Sequence, residues 1–402
     1  MAVSCASGAD PPVGAGDRWV SSDKLGGLPS VQSFRRAREL LSKRGSFSQA
    51  LVDEPTEEVV GADPDQREDD EQLRFHPVFT AVERAEDSRR PWIELPGPLT
   101  RREDHVFRYF LDGSLRTYRW GEKLEGNRSF PVIVTEIGCA VMKRGSDGTV
   151  GSEIFRRRIC LLLPPSPPVS DDTATDLGEG LKDLGGHGGL ALELEPLKKA
   201  EHKGDIRNAL LGKARSVMHE LEVDVATTLP RSDSSWLIID GAIRKSIFLN
   251  LSHTIGVAKS FSKKPVFVVP PAQEKRDVVS VLNGLPLGAR SLVFMSSAKD
   301  DEADEDTSLR IASWYLRLRT SMVAGDPLHG VIKVDYVLPG AWDKARDRPI
   351  VDRLSRALLA ERSVCPYPEP RWAAHLYPIH CAEIYLKANL LNPVVMRGLM
   401  EA

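Results

Sequence analysis

Residues 235–260, SWLIIDGAIRKSIFLNLSHTIGVAKS, constrain the fold of this chain more than any other stretch, because a continuous apolar run there ends on one carboxylate, Asp240. Residues 236–239 have the length and β-branched content of a strand buried on both faces, and Asp240-Gly241 marks where such a strand leaves its sheet. A strand of that kind belongs to a sheet covered by helices, so the expected class is α/β. An ionised acid at a buried strand end is driven to protonate unless it meets a cation, an Arg or Lys, or solvent in a cleft. Taken alone, Asp-Gly is most often an ordinary turn. The pattern recurs, however: Tyr109-Phe110-Leu111 leads into Asp112-Gly113-Ser114 and on to residues 115–120. Two carboxylates presented in this way suit a shared divalent metal, since Mg²⁺ and Mn²⁺ prefer hard oxygen ligands and serve phosphodiester cleavage.

At 402 residues the chain can hold one large domain or two modest ones. Its formal net charge of −3 gives no global basicity, so binding of nucleic acid requires Lys and Arg gathered at a site or supplied by a partner. Cys5, Cys139, Cys160, Cys365 and Cys381 are scattered without a CxxC pair, and read as reduced thiols. No apolar run approaches about 18 residues and no basic-then-apolar leader opens the chain, so the expected location is the cytoplasm, off the membrane. Phosphate loops, Gly-x-Ser-x-Gly elbows and His-Glu-x-x-His motifs are absent, which leaves any ATP hydrolysis to a partner.

Along the chain, residues 1–95 read as an N-terminal extension. Residues 31–50 carry Val31, Phe34, Ala37, Leu40 and Leu41 at helical spacing with basic residues between them, and 53–72 form an acidic, apolar-poor linker. The preferred reading of the helix is one packed on the body with a solvated basic face; the other is a DNA- or partner-facing helix. Residues 96–402 form the main domain. It opens as a meander of strands at 107–111, 115–120, 130–144 and 154–163, with Glu136 preferred as a solvent-facing strand residue. The Pro- and Gly-rich run 164–189 cannot build a core and predicts a flexible insertion at about 164–204, in which His187 is a poor ligand. Residues 205–229 predict a long helix with Ile206, Leu210, Ala214, Val217, Leu221 and Val225 on one stripe. Residues 247–260 have helical periodicity ending near Lys259, with Lys263-Lys264 beyond. Short strands at 265–270 and 291–295, an acidic loop at 299–306 and a hairpin of 310–320 with 331–338 complete the pattern.

Taken in order, YFLDGSLRTYRW, FPVIVTEIGCAVMKR, WLIIDGAIRKS with IGVAKS, VIKVDYVLP and LYPIHCAEIYLKA resemble the NurA family of nucleases over roughly residues 100–395. The resemblance implies an RNase H-like mixed sheet flanked by helices and a DNA nuclease dependent on Mn²⁺ or Mg²⁺. It also implies a homodimer docked on a HerA-type hexameric ATPase, in DNA end processing or anti-phage defence. Asp112 and Asp240 match the family's strand carboxylates. Its helix acid, placed just before the second Asp-Gly strand, falls on Glu220 or Glu222; Glu220 is preferred and Asp224 stays open. Lys259 stands in the Gly-Val-Ala-Lys segment, where it would neutralise phosphates, or alternatively complement a helix C-terminus. Asp335 occupies a strand position that is acidic in the family, although an exposed strand residue is the preferred reading. The family's closing Tyr-Pro helix has two matches, Tyr377-Pro378 with His380 and Glu383 on one face, and Tyr367-Pro368 with His375. Pro378 would break a helix begun at Pro368 but is tolerated in the first turn of its own, which selects the later start. Glu383 comes two residues sooner than the family spacing, so the last ligand stays open among His380, Glu383 and His375, with His380 preferred. The expected catalytic set is thus Asp112, Glu220, Asp240, Lys259 and His380, and the expected metal set is Asp112, Asp240, Glu220, Glu222, His380 and Glu383. The alternative is a catalytically inactive RNase H-like scaffold of an ATPase complex, a role that has no need of either strand Asp.

Overall fold

A computed structural model of the chain describes residues 30–43, 45–49, 56–57, 78–83, 90–99, 106–164, 169–182, 192–197, 205–243, 250–263, 265–269, 274–296, 311–320, 326–364 and 371–402. Residues 1–29, most of the acidic stretch 53–72, His187, Lys264, the 299–306 loop and Tyr367-Pro368 lie outside them. The elements in chain order are α1 (Val31–Lys43), β1 (Ser46–Gln49), β2 (Thr56–Glu57), β3 (Val78–Thr80), β4 (Trp92–Glu94), β5 (Phe107–Glu125), β6 (Arg128–Arg144), β7 (Val150–Leu163) and α2 (Asp171–Lys182). There follow β8 (Leu192–Pro196), α3 (Ile206–Thr228), β9 (Trp236–Asp240), β10 (Thr254–Ala258), β11 (Val266–Val269), β12 (Glu274–Asp277), α4 (Val278–Asn283), β13 (Ala289–Ser291) and β14 (Phe294–Ser296). Last come β15 (Ile311–Arg317), β16 (Val331–Val337), α5 (Lys344–Glu361), α6 (Tyr377–Asn389) and α7 (Pro393–Glu401).

The chain is α/β, with one large mixed sheet flanked by helices. At its centre β5 pairs antiparallel with β6, and β6 with β7. The helix α3 then carries the chain back so that β9 runs parallel beside β5, with Leu111 opposite Ile239, and β10 runs parallel beside β9, with Val257 opposite Asp240. Crossovers between parallel strands need such a connection, and the 23-residue α3 supplies it. Beyond β10 the sheet continues antiparallel through β16 and β15 to β13 and β4, while β8 extends the opposite edge in parallel with β7. A smaller sheet has the order β12-β11-β3. Among the described residues no helix is long and apolar enough to cross a membrane.

Strand alternation assigns the two faces. On one, Leu111, Leu115, Leu237 and Ile239 meet Leu210, Ala214, Val217 and Leu221 of α3. On the other, Phe107, Phe110, Ile238, Ile255 and Val257 meet Val351, Leu354 and Leu358 of α5 and Ile379 and Ala382 of α6. Each large aliphatic or aromatic side chain buried in these layers contributes about 1.5–3 kcal/mol. A third cluster, around Trp120, Phe130 and Leu161, is closed by α1, α2 and α7.

Several expectations are corrected here. Residues 107–111 and 115–120 are one strand, β5, because pairing with β6 on one side and with β9 and β1 on the other carries it straight through Asp112-Gly113. The helical periodicity read at 247–260 gives way, in its described part, to β10, whose five residues are all buried. The Pro- and Gly-rich run is not without core: α2 buries Thr173, Leu177 and Leu181, and Gly180 lies so close to α1 that a Cβ there would come 2.7 Å from Leu40. Glu136 is fully buried instead of solvent-facing, accepting the Leu391 N–H at 2.9 Å. Asp335 is 1% exposed; it accepts from Ser313 at 2.6 Å and the Ile243 N–H at 3.2 Å, and pairs with Lys333 at 2.8 Å. Residues 30–95 contribute α1, β1, β2 and β4 to the same layers as the rest. The apolar stripe of α1 is buried, while Arg35 and Arg38 donate to the backbone carbonyls of Ala402 and Glu401.

Candidate metal centre

Asp112 lies mid-strand on β5, one residue beyond Leu111. It therefore turns to the face opposite α3, the face of Phe110 and α6. Asp240, the last residue of β9, shares that face with Ile238, and Lys259, one residue past β10, shares it with Val257. Helix α6 starts at Tyr377 with Pro378 in its first turn, and lays Glu383 over these strand positions. Ligand oxygens of Asp112, Asp240 and Glu383 all lie within 4.8 Å of one another. Lys259 sits among them, 2.8 Å from Asp240 Oδ2 and 2.5 Å from Glu383 Oε1. His375 and His380 complete an overlapping group with Glu383, with Nδ1 atoms 3.8 Å and 3.7 Å from Glu383 Oε2.

The electrostatics follow from three acids meeting one lysine in a poorly solvated place. Burial, then the neighbouring Asp240, pushes the Asp112 carboxyl well above the usual carboxylate range. Burial also raises Asp240, against the pull of Lys259. For Glu383 burial opposes ionisation, but Lys259 and then His375 outweigh it and hold the carboxyl low. Burial likewise opposes the charge on Lys259, yet Asp240, Glu383 and Asp112 more than offset this and keep it protonated. His375 is completely buried, and burial and Lys259 push it down to about 3, so it stands neutral beside Glu383. Arg371 adds positive charge that reaches both Asp240 and His375.

The donor set fits a hard divalent cation. The two imidazoles next to Glu383 could add nitrogen ligands to the same place.

Of the expected residues, the structure therefore brings together Asp112, Asp240, Lys259, Glu383 and, at the rim, His380. Of the C-terminal candidates, Glu383 reaches both strand carboxylates, while His380 and His375 flank it. Glu220 is exposed on α3, where it accepts from Ser216 at 3.4 Å, and it is not part of the group formed by Asp112, Asp240 and Glu383. Glu222 is buried but lies on the α3 face, where a Cβ on Gly113 would come 2.2 Å from its Oε1, and it bonds His219 Nδ1 at 2.7 Å. The sheet separates it from the metal group, although its charge is still felt at Asp112. Asp224 likewise sits on α3. Sequence reading passed over Arg371 and Trp372; their only signal was an Arg-Trp pair placed just before the His375 candidate. No protein-family model matches this chain, and no curated protein matches it.

Proposed function

We propose that this chain is a divalent-metal-dependent deoxyribonuclease of the NurA kind, with an RNase H-like sheet. The observation that carries the reading is the convergence of Asp112, Asp240 and Glu383 within 4.8 Å around the ammonium of Lys259. The sheet supports it: three antiparallel strands are followed by two parallel ones in the order β7-β6-β5-β9-β10, with the acids on the central pair β5 and β9, as an RNase H-like nuclease requires.

Asp112, Asp240 and Glu383 would hold Mn²⁺ or Mg²⁺. Such an ion supplies Lewis-acid polarisation of a phosphoryl oxygen and a bound water of lowered pKa. Lys259 is fixed between two carboxylates with its charge retained, and in that position it neutralises the charge of an approaching phosphodiester. His375, kept neutral by burial, packs against Glu383 and limits where that carboxylate turns. His380 stands at the rim with its side chain 24% exposed, its Nδ1 3.7 Å from Glu383 Oε2. A homodimer working with a HerA-type hexameric ATPase belongs to the same reading, because the chain carries no phosphate loop of its own.

The test is cleavage of linear DNA by the full chain with Mn²⁺ or Mg²⁺. Wild type cleaves and loses activity with EDTA, whereas D240N is inactive with its melting temperature preserved. Undiminished cleavage by folded D240N refutes the assignment.

A further inference from the structure

Next to the carboxylates stands a second group of charges that the metal centre does not use. Two residues past the end of β15, Arg319 stacks its guanidinium over the ring of Trp372, 4.6 Å from the centroid, and the His329 ring lies 6.4 Å from the same indole. Arg362, which caps α5, donates to the carbonyl of Leu318 at 3.3 Å, one residue before Arg319. Backbone contacts fix the arrangement: Leu318 N–H donates to Gly330 at 2.7 Å, Ser363 N–H donates to His375 at 3.0 Å, and Arg362 forms a bridge with Leu376. Trp372 opens the short 3₁₀ turn that ends at His375, the neighbour of Glu383, so a single turn of chain links the group to the carboxylates.

Among the described residues no carboxylate pairs with Arg319 or Arg362, whereas Arg144 pairs with one and Arg158 and Arg290 with two each. The Nε of Arg319 is buried and finds no acceptor there. Burial, then the like charge of Arg362, lowers the pKa of Arg319, a repulsion that an incoming anion would relieve. A planar guanidinium pre-positioned on an indole face is suited to phosphate, which it can grip with two parallel hydrogen bonds.

We propose that Arg319, Arg362 and Trp372 form a phosphate-gripping edge that holds the backbone of a nucleic-acid strand while a nearby phosphodiester lies at the carboxylates. This rests on the nuclease reading for its choice of ligand. The test is fluorescence anisotropy of labelled single-stranded and duplex DNA with the full chain in EDTA, over a salt series, so that neither metal nor cleavage enters. R319Q and R362Q are each expected to weaken binding several-fold and to flatten the plot of log affinity against log salt by about 0.7–0.9 for each lost phosphate contact. R207Q, the same charge change at an exposed position on α3, should leave both unchanged. Unaltered affinity and slope in R319Q and R362Q at undiminished melting temperature overturns the proposal. So does an equal loss in R207Q, or wild type that binds neither DNA at low salt. Should R319Q fail to fold, R362Q alone carries the comparison. Loss of binding in R362Q by a chain that never cleaves leaves the edge standing and the nuclease reading fallen; metal-dependent cleavage that needs Asp240, with binding untouched in R362Q, is the reverse.

Discussion

Lys259 is the pivot at the residue scale, because its ammonium contacts Asp240 and Glu383 directly and only partly offsets the burial and the Asp240 charge that raise Asp112. Mn²⁺ binding should therefore displace a proton from Asp112 and tighten as pH rises through that raised pKa. Calorimetric titration in two buffers of different ionisation enthalpy measures the released proton, and a pH-independent affinity with no release contradicts the account. Saturating Mn²⁺ should also raise the melting temperature of wild type, but much less that of D112N or D240N. In cleavage assays D112N, D240N and E383Q should each lose about a hundredfold or more, while E220Q keeps the wild-type rate. Asp112 and Asp240 were legible in the sequence because a buried apolar run ending on an acid has few physical solutions. Glu222 was less so: eight residues after Ala214 and four after Met218, it lies on the buried stripe by helical phase, whereas Glu220 falls off it. The choice of Glu220 followed adjacency to the stripe in sequence, and a helix rewards phase instead. Glu383 was weighed but set behind His380 on family spacing, since no sequence rule says how far α6 leans over β5.

Between elements, α3 comes close to β5 at Gly113, the position that a Cβ would contest with Glu222. G113A should cost about 1–3 kcal/mol through overpacking, and E222A in the same chain should recover part of that loss. Additive effects in the double-mutant cycle, measured by urea denaturation, would show that the two do not touch. Where α6 meets α7, Glu136 on β6 is raised to about 7 by burial, against the Leu391 N–H and Arg157, from an ordinary value of 4.5. With its folded pKa above its unfolded one, this carboxyl adds no penalty below pH 4.5 and costs stability progressively as pH rises towards 7, after which the cost is constant. E136Q keeps an acceptor for Leu391, so it should be more stable than wild type at pH 8, by on the order of 2–3 kcal/mol, and equal to it at acidic pH. An unchanged difference across that pH range rules the account out. The elements themselves divide by how local their signals are. The long α3 was legible from its stripe, and α6 from Pro378. In contrast β10 was not, since its five buried residues are set by β9 and β16 on either side, and a period cannot be read from so short a run.

For the whole molecule, the order of helices and strands predicted an α/β sheet, yet its extent was hidden. The short strands β4, β13 and β14 have three residues each and hold their places through partners far away in sequence, as in the pairing of Arg290 with Ile93. The assembly proposed above predicts that co-expression with a HerA-like hexameric ATPase yields a stable complex containing two copies of this chain. A monomer that never co-purifies with such a partner speaks against it. The order in which the centre acquires its parts has a consequence during synthesis. Asp112, Asp240 and Lys259 leave the ribosome well before α6, and chains fold largely in the order they emerge. A nascent chain can thus form β5, β9 and β10 without Glu383. Helix α7, whose Met400 carbonyl takes the Trp120 and Gln49 side-chain N–H groups, arrives later still. Translation itself becomes the timer, and a ribosome-bound or prematurely stopped chain lacks the third carboxylate on which the proposed activity depends.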